Sequence, residues 1–158
     1  MLLVLTLIAA ASASDCPSPT SPAALDAALD ATETTISAAP GEFTGLLAAA
    51  DQVVACLATP VTPTQAAQLH RLHGIGAESL EELGGLPHFM AARAIEPDAP
   101  LAEGTDFSGT VAEEAYQSVD PSRIVRKDID AVERGGFVLD GTPTLARAKD
   151  LPVVFQYE

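Results

Sequence analysis

The sequence predicts a mainly α-helical protein in which two antiparallel helical hairpins are followed by a small strand-rich C-terminal tail. Apolar residues recur every three or four positions in four segments between residues 23 and 98, which is the spacing of one helix face. Proline or glycine pairs separate these segments, and the clearest strand-like runs come after residue 135. The length of 158 residues corresponds to about one domain.

The first predicted hairpin begins at Ser21-Pro22, where serine can cap a helix and proline suits its first position. The apolar stripe of its first helix extends to about Ala39, and Pro40-Gly41 indicates a tight turn. The second helix ends before Pro60. It has the clearest helical period in the chain, formed by Phe43, Leu46, Leu47, Ala50, Val53, Val54 and Leu57.

The second predicted hairpin begins at Thr62-Pro63, which repeats the pattern of a cap followed by proline. Its first helix stops at Gly84-Gly85, and its second helix runs from Leu86 to about Ile95, before Pro97. The apolar or small positions of its first helix are Ala66, Leu69, Leu72, Gly76, Leu80 and Leu83.

The spacing of the two hairpins resembles the tetratricopeptide repeat (TPR), a helix-turn-helix unit of about 34 residues. The second hairpin carries most of the resemblance, through Leu69, Leu72, Gly85, Phe89, Ala92 and Pro97. The order of segments is also similar to that of exported bacterial proteins of unassigned function with a TPR-like helical domain. This resemblance implies a TPR-like α-α stack over residues 23–98.

The remaining chain divides into a predicted irregular linker and a β tail. Within the linker, residues 99–134, the run "VAEEAYQSV" predicts one short helix. In the tail, residues 135–158, three short runs predict strands of a small antiparallel unit: "GFVLD", "TLARA" and "VVFQY".

The N-terminus predicts export. Residues 1–14 are predicted to be a signal peptide: the apolar run from Leu2 to Ala10 is shorter than the about 20 residues of a membrane span, and it leads into an A-x-A-like cleavage site at Ala11-Ser12-Ala13. A buried N-terminal strand or helix and a lipid anchor on Cys16 remain alternatives. A proline-rich lead-in, residues 15–22, follows. We expect a periplasmic or secreted protein without stable membrane insertion after removal of the signal peptide.

The two cysteines, Cys16 and Cys56, are expected to form a disulfide, because paired cysteines are common in oxidising compartments. The alternative is two unlinked thiols, with Cys56 as a small residue of an apolar helix face.

The formal net charge of −14 disfavours nucleic acid as a partner, since an acidic surface repels phosphate backbones. No Lys or Arg precedes Arg71, so the helical part carries most of the excess negative charge.

Motifs of known enzyme classes are absent from the sequence, including G-x-S-x-G, glycine-rich phosphate loops and H-E-x-x-H. We therefore expect a protein that is not an enzyme, has no catalytic residues and needs no cofactor or metal.

The predicted function is protein or peptide binding on the concave face of the helical stack, lined by the first and third helices. The candidate binding residues are Asp26, Asp30, Glu33, Gln68, Arg71 and Glu78. Two alternatives stay open. His70 and His73 lie at i, i+3 on one helix and could share a metal ion with an acidic residue. The terminal strand "VVFQY" could instead join the protein to an envelope or surface assembly.

Overall fold

A computed structural model of the protein describes residues 16, 18–79, 84–102, 106–130 and 135–157. The predicted signal peptide lies outside these residues. Within them the protein is mainly helical, and its C-terminal region contains short antiparallel strands, as the sequence predicted. No helix in the described part of the chain is long and apolar enough to cross a membrane.

Five α-helices occur in the order expected from the apolar periodicity. They are α1 (Pro22–Ala38), α2 (Phe43–Ala55), α3 (Pro63–Ser79), α4 (Gly85–Ile95) and α5 (Val111–Ser118). Side-chain caps fix three of the starts. The Ser21 hydroxyl accepts from the Ala24 amide at 3.2 Å, and the Thr110 hydroxyl accepts from the Glu113 amide at 3.2 Å. At the start of α3, the Thr62 amide donates to the side-chain oxygen of Gln65, and the Gln65 amide donates to the Thr62 hydroxyl.

Helix α3 lies at the centre of the helical part and packs against α1, α2, α4 and α5. Its buried apolar residues are Ala66, Ala67, Leu69, Leu72 and Ile75. Gly74 allows α4 to approach closely, because a methyl group at this position would overlap the ring of Phe89. The small residues of α3 therefore serve close helix packing.

In the described part of the chain, five short strands form two antiparallel sheets. The strands are β1 (Arg126–Asp128), β2 (Phe137–Leu139), β3 (Thr142–Pro143), β4 (Ala146–Ala148) and β5 (Phe155–Tyr157). Strand β1 pairs with β4, while β3, β2 and β5 form a second sheet in that order. Strand β1 lies inside the segment predicted as an irregular linker. Its three residues, Arg-Lys-Asp, are all exposed, and they have neither the apolar alternation nor the β-branched side chains that indicate a strand.

A disulfide joins Cys16 to Cys56, whose Cα atoms are 5.5 Å apart. Next to it, Thr20 and Leu57 form a parallel β-bridge, and the Thr20 amide donates to the Cys56 carbonyl at 2.8 Å. The proline-rich lead-in is thus fixed to the end of α2.

Candidate functional site: an aromatic sheet face fixed by a histidine chain

Three aromatic side chains gather on the outer face of the sheet β3-β2-β5. Phe137 lies opposite Tyr157 in the register of β2 and β5, and Phe155 lies opposite Leu139. The ring of Phe137 is 4.9 Å from that of Phe155 and 6.1 Å from that of Tyr157. Phe155 is 44% exposed and Tyr157 is 58% exposed. We call Phe137, Phe155 and Tyr157 the aromatic face.

The aromatic face takes up a large share of the aromatic residues, because the whole chain has only five Phe and two Tyr. Three of the other four, Phe43, Phe89 and Tyr116, are buried in the helical core. Aromatic side chains in partly exposed clusters are characteristic of protein interfaces, where they supply much of the binding energy.

The opposite face of the same sheet lies against the start of α3. Val138 is 3% exposed, and the Gln156 side-chain oxygen accepts from the Val61 amide at 2.8 Å. Gly141 has a φ of +75° and lies directly on the backbone of residues 61–63, where a side chain would overlap. Glycine is required there for both reasons. The sheet is therefore positioned by direct contact with the helical part.

Asp140 attaches this sheet to the middle of α3. One oxygen of its carboxylate accepts from the Val154 amide at 2.8 Å and lies 3.1 Å from Nε2 of His70. The backbone amide of Asp140 donates to the Val154 carbonyl at 2.8 Å. Asp140 has a φ of 50°, a conformation that aspartate tolerates better than most residues.

His70 belongs to a polar chain that contains all three histidines of the protein. Its Nδ1 lies 3.3 Å from Nδ1 of His88 on α4. The His88 ring stacks on that of His73, with centroids 5.1 Å apart, and Nε2 of His73 lies 2.9 Å from Asp51 on α2. We call Asp51, His73, His88, His70 and Asp140 the histidine chain. It runs from α2 through α3 and α4 to the sheet.

Burial decides the charge state of the central histidine. Burial of His88 is the main cause that lowers its pKa to about 3, and repulsion by His70 and by His73 lowers it further. His88 is consequently neutral at neutral pH. His70 is only 1% exposed, and its Nε2 lies 3.1 Å from the Asp140 carboxylate.

The alternative of a shared metal ion is not supported by the arrangement of His70 and His73. Each directs its Nε2 to a different carboxylate, Asp140 and Asp51 respectively. Over the described ranges, no group of three or more His, Cys, Asp or Glu side chains could hold a metal ion. The i, i+3 spacing that suggested a metal serves a structural chain instead.

Four of the six predicted binding residues contact other polar side chains of the same molecule. Gln68 donates to Glu33 at 2.8 Å, and Arg71 donates to Glu96 at 3.0 Å. The Asp26 carboxylate accepts from Gln65 at 2.6 Å. Helix α3 is enclosed by four helices, so these contacts stabilise helix packing.

The six predicted binding residues differ in their exposure to solvent. Glu33 and Arg71 are buried, while Gln68 and Glu78 are half-buried. Asp26 and Asp30 are exposed on α1. The structure therefore does not gather the six side chains into one open surface.

A cavity of about 190 Å³ lies beside the histidine chain, between the end of α4 and the strands, and Asp140 lines it. Arg126 also lines it, and its guanidinium donates to the Ala94 carbonyl at 3.0 Å. The cavity is smaller than the 300–1,000 Å³, approximately, of typical small-molecule sites.

The comparisons with known proteins give no further guide to the site. No family model matches the chain, and neither a curated protein nor a solved structure is significantly similar to it. The site therefore has to be interpreted from its own residues.

Sequence reasoning included "VVFQY" as a strand but did not identify the aromatic face. The sequence did contain one indication of this face: Phe155 and Tyr157 are two positions apart, and a strand places such residues on the same side of the sheet. Phe137 joins them only through the register of β2 and β5.

Proposed function

We propose that the protein is a non-enzymatic, protein- or peptide-binding scaffold, exported to the periplasm or the exterior of a bacterial cell, and that it binds its partner through the aromatic face. The observation that carries this proposal is the clustering of Phe137, Phe155 and Tyr157 on an outer sheet surface in a chain with few aromatic residues. The helical hairpins, which resemble TPR units, serve as the support of this sheet.

The occupant that fits this surface is an extended apolar segment of a partner protein. Phe155 and Tyr157 lie on β5, which is an outer strand of its sheet. A segment that lies alongside β5 in extended form places every second side chain over the aromatic rings. The rings carry no charge, so apolar side chains of the partner are the complementary chemistry.

Export is supported by two features that act together. The N-terminal run is typical of a signal peptide, and a disulfide is stable in oxidising compartments. The acidic residues of α1, including Asp26 and Asp30, favour solubility in this proposal and do not bind the partner.

Site-specific photo-crosslinking in the producing cell tests the proposal. A photoreactive phenylalanine analogue at position 157 should give one adduct of defined mass. The adduct should disappear when Phe155→Ser is added, and it should persist with Val111→Ser. Val111 is a suitable control because it is apolar, 69% exposed and located on α5. The identified partner segment, made as a peptide, should then bind Phe155→Ser at least about tenfold more weakly than the wild type.

Three outcomes would contradict or redirect the proposal. An adduct that survives Phe155→Ser would show that the aromatic face is not the binding surface. Equal peptide affinities of Phe155→Ser and Val111→Ser would show the same. An adduct with twice the mass of the chain would support the alternative of an assembly joined through the terminal strand.

A further inference from the structure

We propose that the histidine chain is an acid-sensitive attachment that holds the sheet β3-β2-β5 on α3 at neutral pH and releases it when His88 takes up a proton, while the helical part stays folded. This inference rests on the proposed function in one respect, since the released sheet is the one that carries the aromatic face. The attachment itself exists independently of any partner.

The first argument is a proton count at the contact between His70 and His88. Their Nδ1 atoms are 3.3 Å apart, a distance at which one nitrogen must donate and the other must accept. A doubly protonated imidazole has no acceptor. When both rings are cationic, two N–H groups point at each other, and the contact becomes repulsive. The contact between His70 and His88 therefore requires that at least one of the two rings is neutral.

The second argument is the path from that contact to the sheet. His70 lies between His88 and Asp140, and Asp140 is bonded to the Val154 amide directly before β5. A displacement of the His70 ring thus removes the link between α3 and Asp140. Gln156 and Gly141 contact residues 61–63, which lie at the start of the helix and not at its centre.

The third argument is the surroundings of His88. The groups of α3 that repel its charged form are His70 and His73. The carboxylates of the chain, Asp51 and Asp140, each contact one of these two neighbours. Among the described residues, further charged side chains on or against α3 and α4 make contacts elsewhere: Arg71 pairs with Glu96, Arg93 lies over the Tyr116 ring, Glu33 binds Gln68, Asp26 binds Gln65, and Glu78 packs at Gly85.

Amide hydrogen exchange of the full chain, measured at pH 7.5 and at pH 4.5, tests the attachment. The exchange rates are expressed as protection factors, because this removes the intrinsic pH dependence of exchange. In the wild type, we expect the protection of the Val138, Gln156 and Val154 amides to fall at least about tenfold at pH 4.5, because the detached state, in which the pKa of His88 returns to its ordinary value of 6.5, binds a proton that the attached state excludes. The protection of the Leu29 and Leu72 amides should stay within about twofold, because the helices open separately.

Two variants make the test specific. His88→Gln removes the central titrating group and keeps a donor and an acceptor, so it should abolish the acid-induced loss of sheet protection. Leu86→Gln, an exposed residue on the same helix, introduces the same side chain and should keep the loss. Should His88→Gln fail to fold, Asp140→Asn replaces it, with low sheet protection expected already at pH 7.5.

The proposal is overturned by any of three results: a sheet whose protection is the same at both pH values, sheet and helices that lose protection together, or an acid response that His88→Gln leaves intact. None of these results depends on a partner, so failure of this inference is distinguishable from failure of the proposed binding function.

Discussion

A single carboxylate oxygen of Asp140 lies 3.1 Å from Nε2 of His70 and 2.8 Å from the amide of Val154. These two groups belong to α3 and to the residue before β5. One aspartate therefore connects the central helix with the outer strand of the sheet.

The free energy of unfolding should depend on pH through His88. Its pKa is lowered to about 3 in the folded protein, against 6.5 for an unperturbed histidine, so the unfolded chain binds more protons between these values. The contribution of neutral His88 is complete above pH 6.5 and is lost as the pH falls toward 3. We expect a loss of roughly 1.4 kcal/mol per pH unit at most in this window. Urea unfolding at several pH values measures it.

The matched comparison for this pH dependence is His88→Gln. Because glutamine does not titrate, the slope between pH 6.5 and pH 4 should be smaller in this variant by about one proton. An unchanged slope would show that other groups cause the acid sensitivity.

Gly141→Ala should destabilise the protein by more than about 1 kcal/mol, because an alanine would combine a positive φ with overlap on the backbone of residues 61–63. Gly45→Ala is the control. Gly45 lies in α2 with open space around it, so alanine should stabilise the helix by about 0.5–1 kcal/mol. Thermal unfolding of both variants measures the two effects, and equal shifts of Tm would contradict the close approach at Gly141.

Gly74→Ala tests the packing of α3 against α4. A methyl group there overlaps the Phe89 ring, and Phe89 is fully buried, so the ring can move away only if its neighbours repack. We expect a loss of about 1–3 kcal/mol, despite the better helix propensity of alanine. Adding Phe89→Leu should recover part of the loss, since a smaller side chain relieves the overlap. A double variant less stable than the sum of the two single changes would argue against this contact.

Removal of the disulfide should cost about 4 kcal/mol in the chain-entropy model, given the sequence separation of 40 between its cysteines. The variant is the double change Cys16→Ala and Cys56→Ala, compared with the wild type under oxidising conditions by urea unfolding. A wild type treated with a reducing agent should match the double variant. A loss below about 1 kcal/mol would indicate that the bridge between Thr20 and Leu57 holds the lead-in without the covalent bond.

The helices were predictable because local patterns determine them. Leu25, Leu29 and Thr32 recur on one face of α1 and are all fully buried, and Ser21 caps this helix as its position before proline indicated. Such patterns need only neighbouring residues. The same holds for β2 and β5, whose existence the sequence predicted.

The histidine chain could not be predicted in this way. His70 and His88 are 18 residues apart, and Asp140 is 70 residues from His70, so their meeting depends on how α3, α4 and the sheet pack together. Strand β4 pairs with β1 and not with β3 or β5, its neighbours in sequence, and this pairing likewise depends on tertiary packing. The spacing of His70 and His73 indicated a common helix face correctly, but it could not show that the two rings bind different carboxylates.

The bond between Cys16 and Cys56 also changes how the molecule responds to tension. A pull on the N-terminus passes through the sulfur atoms directly to the end of α2, so α1 and α2 lie in a closed covalent ring that carries no load. Tension between the two ends of the chain would therefore act first on α3 and the sheet. In a reducing compartment the ring would open, and the first hairpin would become part of the extensible path.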